Sequence, residues 1–237
     1  MRYLRLRRFP SLVAAAAAIG LAGACASAAL GSNGGTAAPG PDEPGDPSVR
    51  LRAKRVAYVG RALRVGGSVT DGARRRVRLE ARDSGGHWYS VATVMPARDG
   101  RFSVRWKPGA PGRFTLRAVV GGASGASTGG ADTRTSATRP LTVYRLAMAT
   151  WYGPGFYGNR TACGVTLTPQ TLGVAHRRLP CGTRVEIAYR GRATSVPVLD
   201  RGPYARGIDW DLTYATAQQL GFRTTSRVGA VAIDPGR

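Results

Sequence analysis

Period-two alternation of apolar and polar residues dominates the chain from about Leu51 to Tyr144. Leu63, Val65 and Val69 mark it in "ALRVGGSV", and Val77, Leu79 and Ala81 in "RVRLEAR". Phe102, Val104 and Trp106 repeat it, as do Phe114, Leu116, Ala118 and Val120. Successive side chains of a strand face opposite ways, so each segment predicts a strand with one apolar face. Turn pairs such as Asp99-Gly100 separate the segments, and short strands at this spacing predict an antiparallel β-sandwich over 49–145. No cysteine pair crosses it, so it is at most immunoglobulin-like. Trp88 is expected in its core. "GGASGASTGGADTRTSATR" (121–139) interrupts the pattern and predicts a disordered insertion before a last strand, "PLTVYR". The alternative is an interdomain linker, with "PLTVYR" belonging to the next domain.

After Arg145 the texture changes. "GTRVEIAYRGRATSVPVLD" predicts two strands around the hairpin Arg190-Gly191, with Val185, Ile187 and Tyr189 on one face and Arg184 and Glu186 on the other. "DLTYATAQQLGF" predicts one short helix: Thr213 as N-cap, Tyr214, Ala217 and Leu220 as the apolar stripe, Gly221 as the stop. "SRVGAVAIDP" supplies a closing strand. So few strands must close on themselves to avoid open edges, so 146–237 is expected to be a small barrel.

The ends and the charge add compartment and partners. "MRYLRLRRFPSLVAAAAAIGLAGACASAAL" (1–30) has a basic start, an apolar stretch from Leu12 to Leu21 and small residues after it, the layout of an export signal. A secreted or cell-envelope protein is expected. "AGAC" also resembles a lipoprotein site, which leaves a lipid anchor at Cys25 as an alternative. Residues 31–48, rich in Pro and Gly, predict a flexible spacer. The 237 residues carry a formal charge of +22, with Lys54 and Lys107 the only lysines. Such a surface attracts polyanions, whether nucleic acid, anionic lipid or acidic wall polymers. An arginine bias set by genome composition is the rival reading. The arginines are scattered through predicted strands and no nucleic-acid motif accompanies them, so no nucleic-acid partner is expected.

Once a signal is removed, Cys163 and Cys181 remain. An even pair in an oxidising compartment suggests a disulfide, with two separate buried thiols as the alternative. Two cysteines without further ligands make a poor zinc site, and no motif for a metal or organic cofactor is present. Candidate chemistry centres on "VPVLDRGPY". The apolar run Val196, Val198, Leu199 ends on Asp200. A carboxylate beside a buried strand must be hydrogen-bonded, paired or open to a cleft, because burying it alone is costly. Capping the turn is its ordinary role, and acid catalysis is the other.

The stretch "ATWYGPGFYGNRTACGVTLTPQTLGVAHRRLPCGTRVEI…VPVLDRGPY…DLTYATAQQLG" resembles the rare lipoprotein A family, over about Ala147 to Pro235. The resemblance implies a six-stranded double-psi β-barrel with a short helix, preceded by a bacterial immunoglobulin-like module. It implies a peptidoglycan lytic transglycosylase, or else a glycan-binding, wall-loosening protein in the manner of expansins. By position it makes Asp200 and His176 catalytic candidates. Tyr152 and Tyr204 become candidates for stacking on sugars, Arg201 for a substrate carboxylate and Asp211 for substrate binding. Cys163 and Cys181 both depart from the family's usual residues, and the paired change supports a disulfide between them. Val165 stands where the family often carries Glu. The expected partner is a peptidoglycan glycan strand, and the chain is expected to act as a monomer without a cofactor.

Overall fold

A computed structural model describes residues 45–70, 75–121 and 133–234. The export signal, Cys25, most of the spacer and the centre of the 121–139 insertion lie outside the described residues. The elements in chain order are β1 (Val49–Arg52), β2 (Val56–Tyr58), β3 (Leu63–Val69), β4 (Val77–Arg82), β5 (Trp88–Val94), β6 (Arg101–Trp106), β7 (Gly112–Val120) and β8 (Arg134–Thr135). Next come β9 (Arg139–Tyr152), β10 (Val174–Ala175), β11 (Arg184–Tyr189), β12 (Arg192–Asp200), β13 (Trp210–Thr213), the helix α1 (Tyr214–Leu220) and β14 (Ser226–Asp234). The protein is mainly β. Among the described residues no helix is long and apolar enough to cross a membrane.

The alternating segments form two sheets. One is antiparallel, in the order β1-β3-β6. The other runs β9-β7-β4-β5, with β2 parallel to β9 and β8 beside β7. Their inner residues, among them Val65, Val77, Leu79, Leu116 and Val143, share one buried cluster. Trp88 departs from expectation. The register between β4 and β5 slips at Leu79/Glu80, and Trp88 pairs with Arg82 instead of entering the core. The guanidinium groups of Arg82, at 4.9 Å, and Arg117, at 4.0 Å, lie over its ring.

Two predicted boundaries also move. Residues 133–139, expected as part of a disordered insertion, are ordered. Thr135 and Arg134 pair with Val119 and Val120, and the buried Ser136 hydroxyl accepts the Ala118 N–H at 2.9 Å. They supply the hydrogen bonds that the end of β7 needs. The spacer likewise stops before Ser48, because Asp46 caps the Ser48 N–H at 2.8 Å and its own N–H reaches Thr135. Between the sheets and the barrel there is no linker. β9 runs for 14 residues, pairing with β7 through its first half and with β13 and β14 through its second. The expected border at 145/146 falls inside one continuous strand.

Six strands close the C-terminal barrel in the ring β9-β13-β10-β12-β11-β14 and back to β9, leaving no open edge. β9–β13 and β10–β12 are parallel; the other pairs are antiparallel. Val185, Ile187, Val196, Val198 and Leu212 fill it. At the β11–β12 hairpin both Arg190 (φ 46°) and Gly191 (φ 83°) are left-handed, as a two-residue primed turn requires. Thr213 caps α1 by accepting the Thr216 N–H, and Gly221 ends it in the left-handed conformation. Ala217 and Leu220 turn inward.

The shared strand predicts that the sheets and the barrel unfold together. Scanning calorimetry should show one transition. Leu141→Ala, in the first core, and Ile187→Ala, in the barrel, should each lower that whole transition, by about 2–5 kcal/mol, without splitting it.

Candidate active site

One row of residues crosses four barrel strands. Thr150 on β9 pairs with Asp211 on β13, Asp211 with Ala175 on β10, and Ala175 with Asp200 on β12. Leu212, Val174 and Val198 belong to the core, so their neighbours Asp211 and Ala175 face away from it. Simple alternation would send Asp200 inward with Val196 and Val198. It does not, because β12 carries one extra residue. Val174 pairs with Val198, but Ala175 pairs with Asp200, which leaves Leu199 as a bulge. A bulge reverses the facing of the residues beyond it. Leu199 itself is buried over Gly173, where an added Cβ would fall 1.9 Å from the Leu199 Cδ2.

The two oxygens of Asp200 are treated differently. Oδ1 accepts two backbone N–H groups, from Ala162 at 2.9 Å and Arg201 at 2.8 Å. Among the described residues Oδ2 accepts only the Tyr152 hydroxyl, at 3.2 Å. Burial first, and then the Asp200 charge, push the Tyr152 phenol far above its ordinary range, so it stays a donor. Asp211 accepts the Thr150 hydroxyl at 2.7 Å. Burial, aided by the charge of Asp200 and opposed by the Thr150 hydrogen bond, raises the Asp211 carboxyl above its usual value. The Asp211 carboxyl therefore senses the Asp200 charge across the row.

The loop between Tyr152 and Val174 brings the Ala162 N–H to Asp200. Cys163 hydrogen-bonds the Leu199 carbonyl through its N–H and is disulfide-bonded to Cys181, with Cα atoms 5.7 Å apart. Phe156, which sequence reasoning passed over, meets Tyr152 edge-on at 6.1 Å and is 55% exposed. Its setting between glycine turns, as for Tyr152, was the available signal. Tyr204, just beyond the Gly202-Pro203 cis bond, is 81% exposed.

Two expected site residues are turned to other work. The His176 Nδ1 accepts the N–H groups of Arg178, at 3.1 Å, and Leu179, at 2.9 Å, so the ring hydrogen sits on Nε2. Burial, then the charge of Arg177, lowers its pKa and keeps the ring neutral. The ring lies 4.4 Å from Trp210, and His176 lines a cavity of about 250 Å³ with Pro111 and Asp209 to which Asp200 does not contribute. The Arg201 guanidinium, expected to take a substrate carboxylate, instead donates to the carbonyls of His176 (3.3 Å) and Leu179 (3.0 Å) and to the Cys181 Sγ (3.2 Å). It holds the 176–181 loop. The structure therefore brings together Asp200, Tyr152 and Asp211, and leaves His176 and Arg201 as its supports.

This is a closed six-stranded barrel with a pair of outward carboxyl groups beside aromatic residues. The family model described as "Lytic transglycolase" matches residues 146–234. A "Probable endolytic peptidoglycan transglycosylase RlpA" from Synechocystis is 42% identical over 97 residues, 39% of this chain and 30% of the relative. One of the same name from Aquifex aeolicus is 45% identical over 80 residues, 33% of this chain and 35% of the relative. "Endolytic peptidoglycan transglycosylase RlpA" from Pseudomonas aeruginosa is 37% identical over 98 residues, 39% of this chain and 29% of the relative. The chain thus spans about a third of the length of these relatives. The segment 146–234 is thus similar to the RlpA-like double-psi β-barrel family.

The raised Asp211 carboxyl makes a stability prediction. The folded state holds this proton to higher pH than the unfolded chain does. Stability therefore falls as pH rises from the ordinary carboxylate value through the folded one. Asp211→Asn keeps an acceptor for Thr150 and removes the charge. It should raise the melting temperature at pH 7 by roughly 2 °C and leave it unchanged near pH 3. Melting curves at the two pH values check this.

Proposed function

We propose that the chain is an exported peptidoglycan lytic transglycosylase that cleaves glycan strands to 1,6-anhydro-muramoyl ends. The observation that carries this reading is the asymmetry at Asp200. Oδ1 is anchored by two backbone N–H groups, while Oδ2 keeps a lone pair beside the Tyr152 hydroxyl. One carboxyl group suffices for this reaction. A proton on Oδ2 passes to the glycosidic oxygen as its bond to the muramoyl C1 breaks. The 6-hydroxyl of the same muramoyl residue attacks C1, and its proton returns to Oδ2. No water is consumed. Tyr152, held as a donor, steadies Oδ2 while it carries the negative charge. Asp211 is placed to bond a sugar hydroxyl, and Tyr204 and Phe156 offer exposed rings for sugar faces. The names of the barrel's relatives agree with this substrate. His176 and Arg201 serve as positioning residues. The two N-terminal sheets fit an immunoglobulin-like spacer module, and the whole acts as a monomer in the cell envelope.

A second reading, glycan binding without cleavage, has its own support. The Arg201 N–H bond to Asp200 Oδ1 is one a turn-capping aspartate also makes. The exposed Val165 offers no second acid on the loop.

Incubating the protein with glycan strands and weighing the products by mass spectrometry separates the two. The wild type should yield anhydro ends. Asp200→Asn should lower the rate by about 10²–10⁴-fold while still sedimenting with glycan, and Tyr152→Phe should fall between. Reducing ends would instead indicate a hydrolase. Glycan bound by the wild type but never cut would establish the second reading.

A further inference from the structure

The outer face of the β1-β3-β6 sheet carries arginine at almost every long side chain. Arg50 and Arg101 flank Ser68 in one row. Arg52 and Ser103 flank Gly66 in the next. Arg64 and Arg105 oppose each other directly. All five arginines are exposed, while the alternate positions Val49, Leu51, Leu63, Val65, Phe102 and Val104 are buried. Like charges directly opposed weaken a sheet, so folding alone gives no reason for this arrangement. The distribution of acids sharpens the point. Glu80 pairs with both Arg78 and Arg117 on the other sheet, and Glu186 pairs with Arg113. On the β1-β3-β6 face the one carboxylate partner among the described residues is Asp99, 3.6 Å from Arg101 with both side chains mostly exposed.

The face is also shaped. A groove of about 610 Å³ runs over Gly66, Gly67, Ser68 and Ser103, between Arg52 and Arg101, and also touches Phe102, which is buried. Gly66 leaves its floor open where any side chain would stand between the two rows. Residues two apart on a strand lie about 7 Å apart, and Arg50 and Arg101, one strand removed from each other, about 10 Å. The result is a flat grid of guanidinium groups around a polar trough, a form suited to bidentate contacts with phosphates.

We propose that this face binds a phosphodiester-linked anionic polymer of the cell wall, holding the barrel against its substrate. Charge complementarity and the open trough argue for an anionic chain threaded across the grid. Among the described residues no exposed aromatic side chain lies on the face to stack on bases, since Phe102 is buried, which disfavours single-stranded nucleic acid. Among them no large apolar side chain lies there to enter a bilayer, which disfavours a lipid surface. The choice of a wall polymer rests on the envelope location proposed above; the anion site does not.

The test is sedimentation of the protein with insoluble walls that carry such a polymer, and with the same walls after hydrofluoric acid has removed it. Wild type should be retained at least about tenfold better on the intact walls, and retention should fall steeply with added salt. Arg50→Ser/Arg101→Ser should lose that advantage while melting like wild type and cutting soluble glycan strands as before. Arg206→Ser/Arg227→Ser removes the same charge from exposed positions on the barrel and should keep it. Equal retention on stripped walls, an unaffected Arg50/Arg101 variant, or an equal loss in the barrel control overturns the proposal. So does tighter binding to phosphatidylglycerol vesicles or to single-stranded DNA than to the polymer. Because cleavage of soluble strands is read separately, an inactive barrel and a non-binding sheet give different results.

Discussion

The direction of one carboxyl group depends on a single extra residue in β12. Val196 and Val198 are core residues, and two more steps of the same alternation would bury Asp200 among them. An unpaired carboxylate there would cost several kcal/mol or would give up its charge. The bulge at Leu199 removes the conflict. It keeps an apolar side chain on the barrel and turns the acid out into a row with Ala175, Asp211 and Thr150. Gly173 makes the bulge sterically possible, since the Leu199 side chain occupies the space its Cβ would need. The apolar run and the abrupt acid are therefore one device.

The site is then held by backbone more than by side chains. The Ala162 and Arg201 N–H groups fix Oδ1. Ala162 belongs to a long loop with little regular structure, and such loops are mobile unless tied. Here the ties are the Cys163–Cys181 bond and the Cys163 N–H to Leu199. On the other side, Arg201 gathers carbonyls of the 176–181 loop, and the His176 Nδ1 takes two of that loop's N–H groups. A cation and a neutral imidazole thus satisfy a turn that has no ladder partners. His176 and Arg201 thereby tie down the chain that flanks Asp200 through side-chain to backbone hydrogen bonds.

Much of this was legible in the residues, and the losses have a common cause. The period-two runs gave β3, β4, β6 and β7, and the face assignment of Val185, Ile187 and Tyr189 holds in the barrel core. The caps Thr213 and Gly221 bound the helix as their chemistry requires. These signals are local. Trp88 and the facing of Asp200 both turn on bulges, which break a periodicity without changing its composition. His176 was read from its place in a family motif and Arg201 from its charge, but their contacts are set by which carbonyls and N–H groups the fold brings near them. Residues 133–139 look like polar insertion, yet the end of β7 needs a partner, and tertiary hydrogen bonding overrides composition. The unbroken β9 is a further case, because no sequence signal distinguishes one 14-residue strand shared by two cores from two strands meeting.

Net charge shows the same limit from the opposite direction. A total of +22 on 237 residues is compatible with genome bias or with a selected surface. Placement separates them. Bias alone would scatter arginines without regard to the acids. Instead Glu80 is buried between Arg78 and Arg117 beside the Trp88 ring, and Glu186 accepts from Arg113 and from the Tyr144 hydroxyl where sheet and barrel meet. Both acids are themselves largely buried, and the paired arginines offset the cost of desolvating them. Acids are nearly absent from the β1-β3-β6 face, where solvent screens arginines and where an anionic chain could screen them better. Repulsion between Arg64 and Arg105 costs little in water and is relieved by any phosphate lying between them. A face that is mildly unfavourable when free and satisfied when occupied is what electrostatic complementarity to a polyanion requires, and it arises from the same strand alternation that builds the core beneath it.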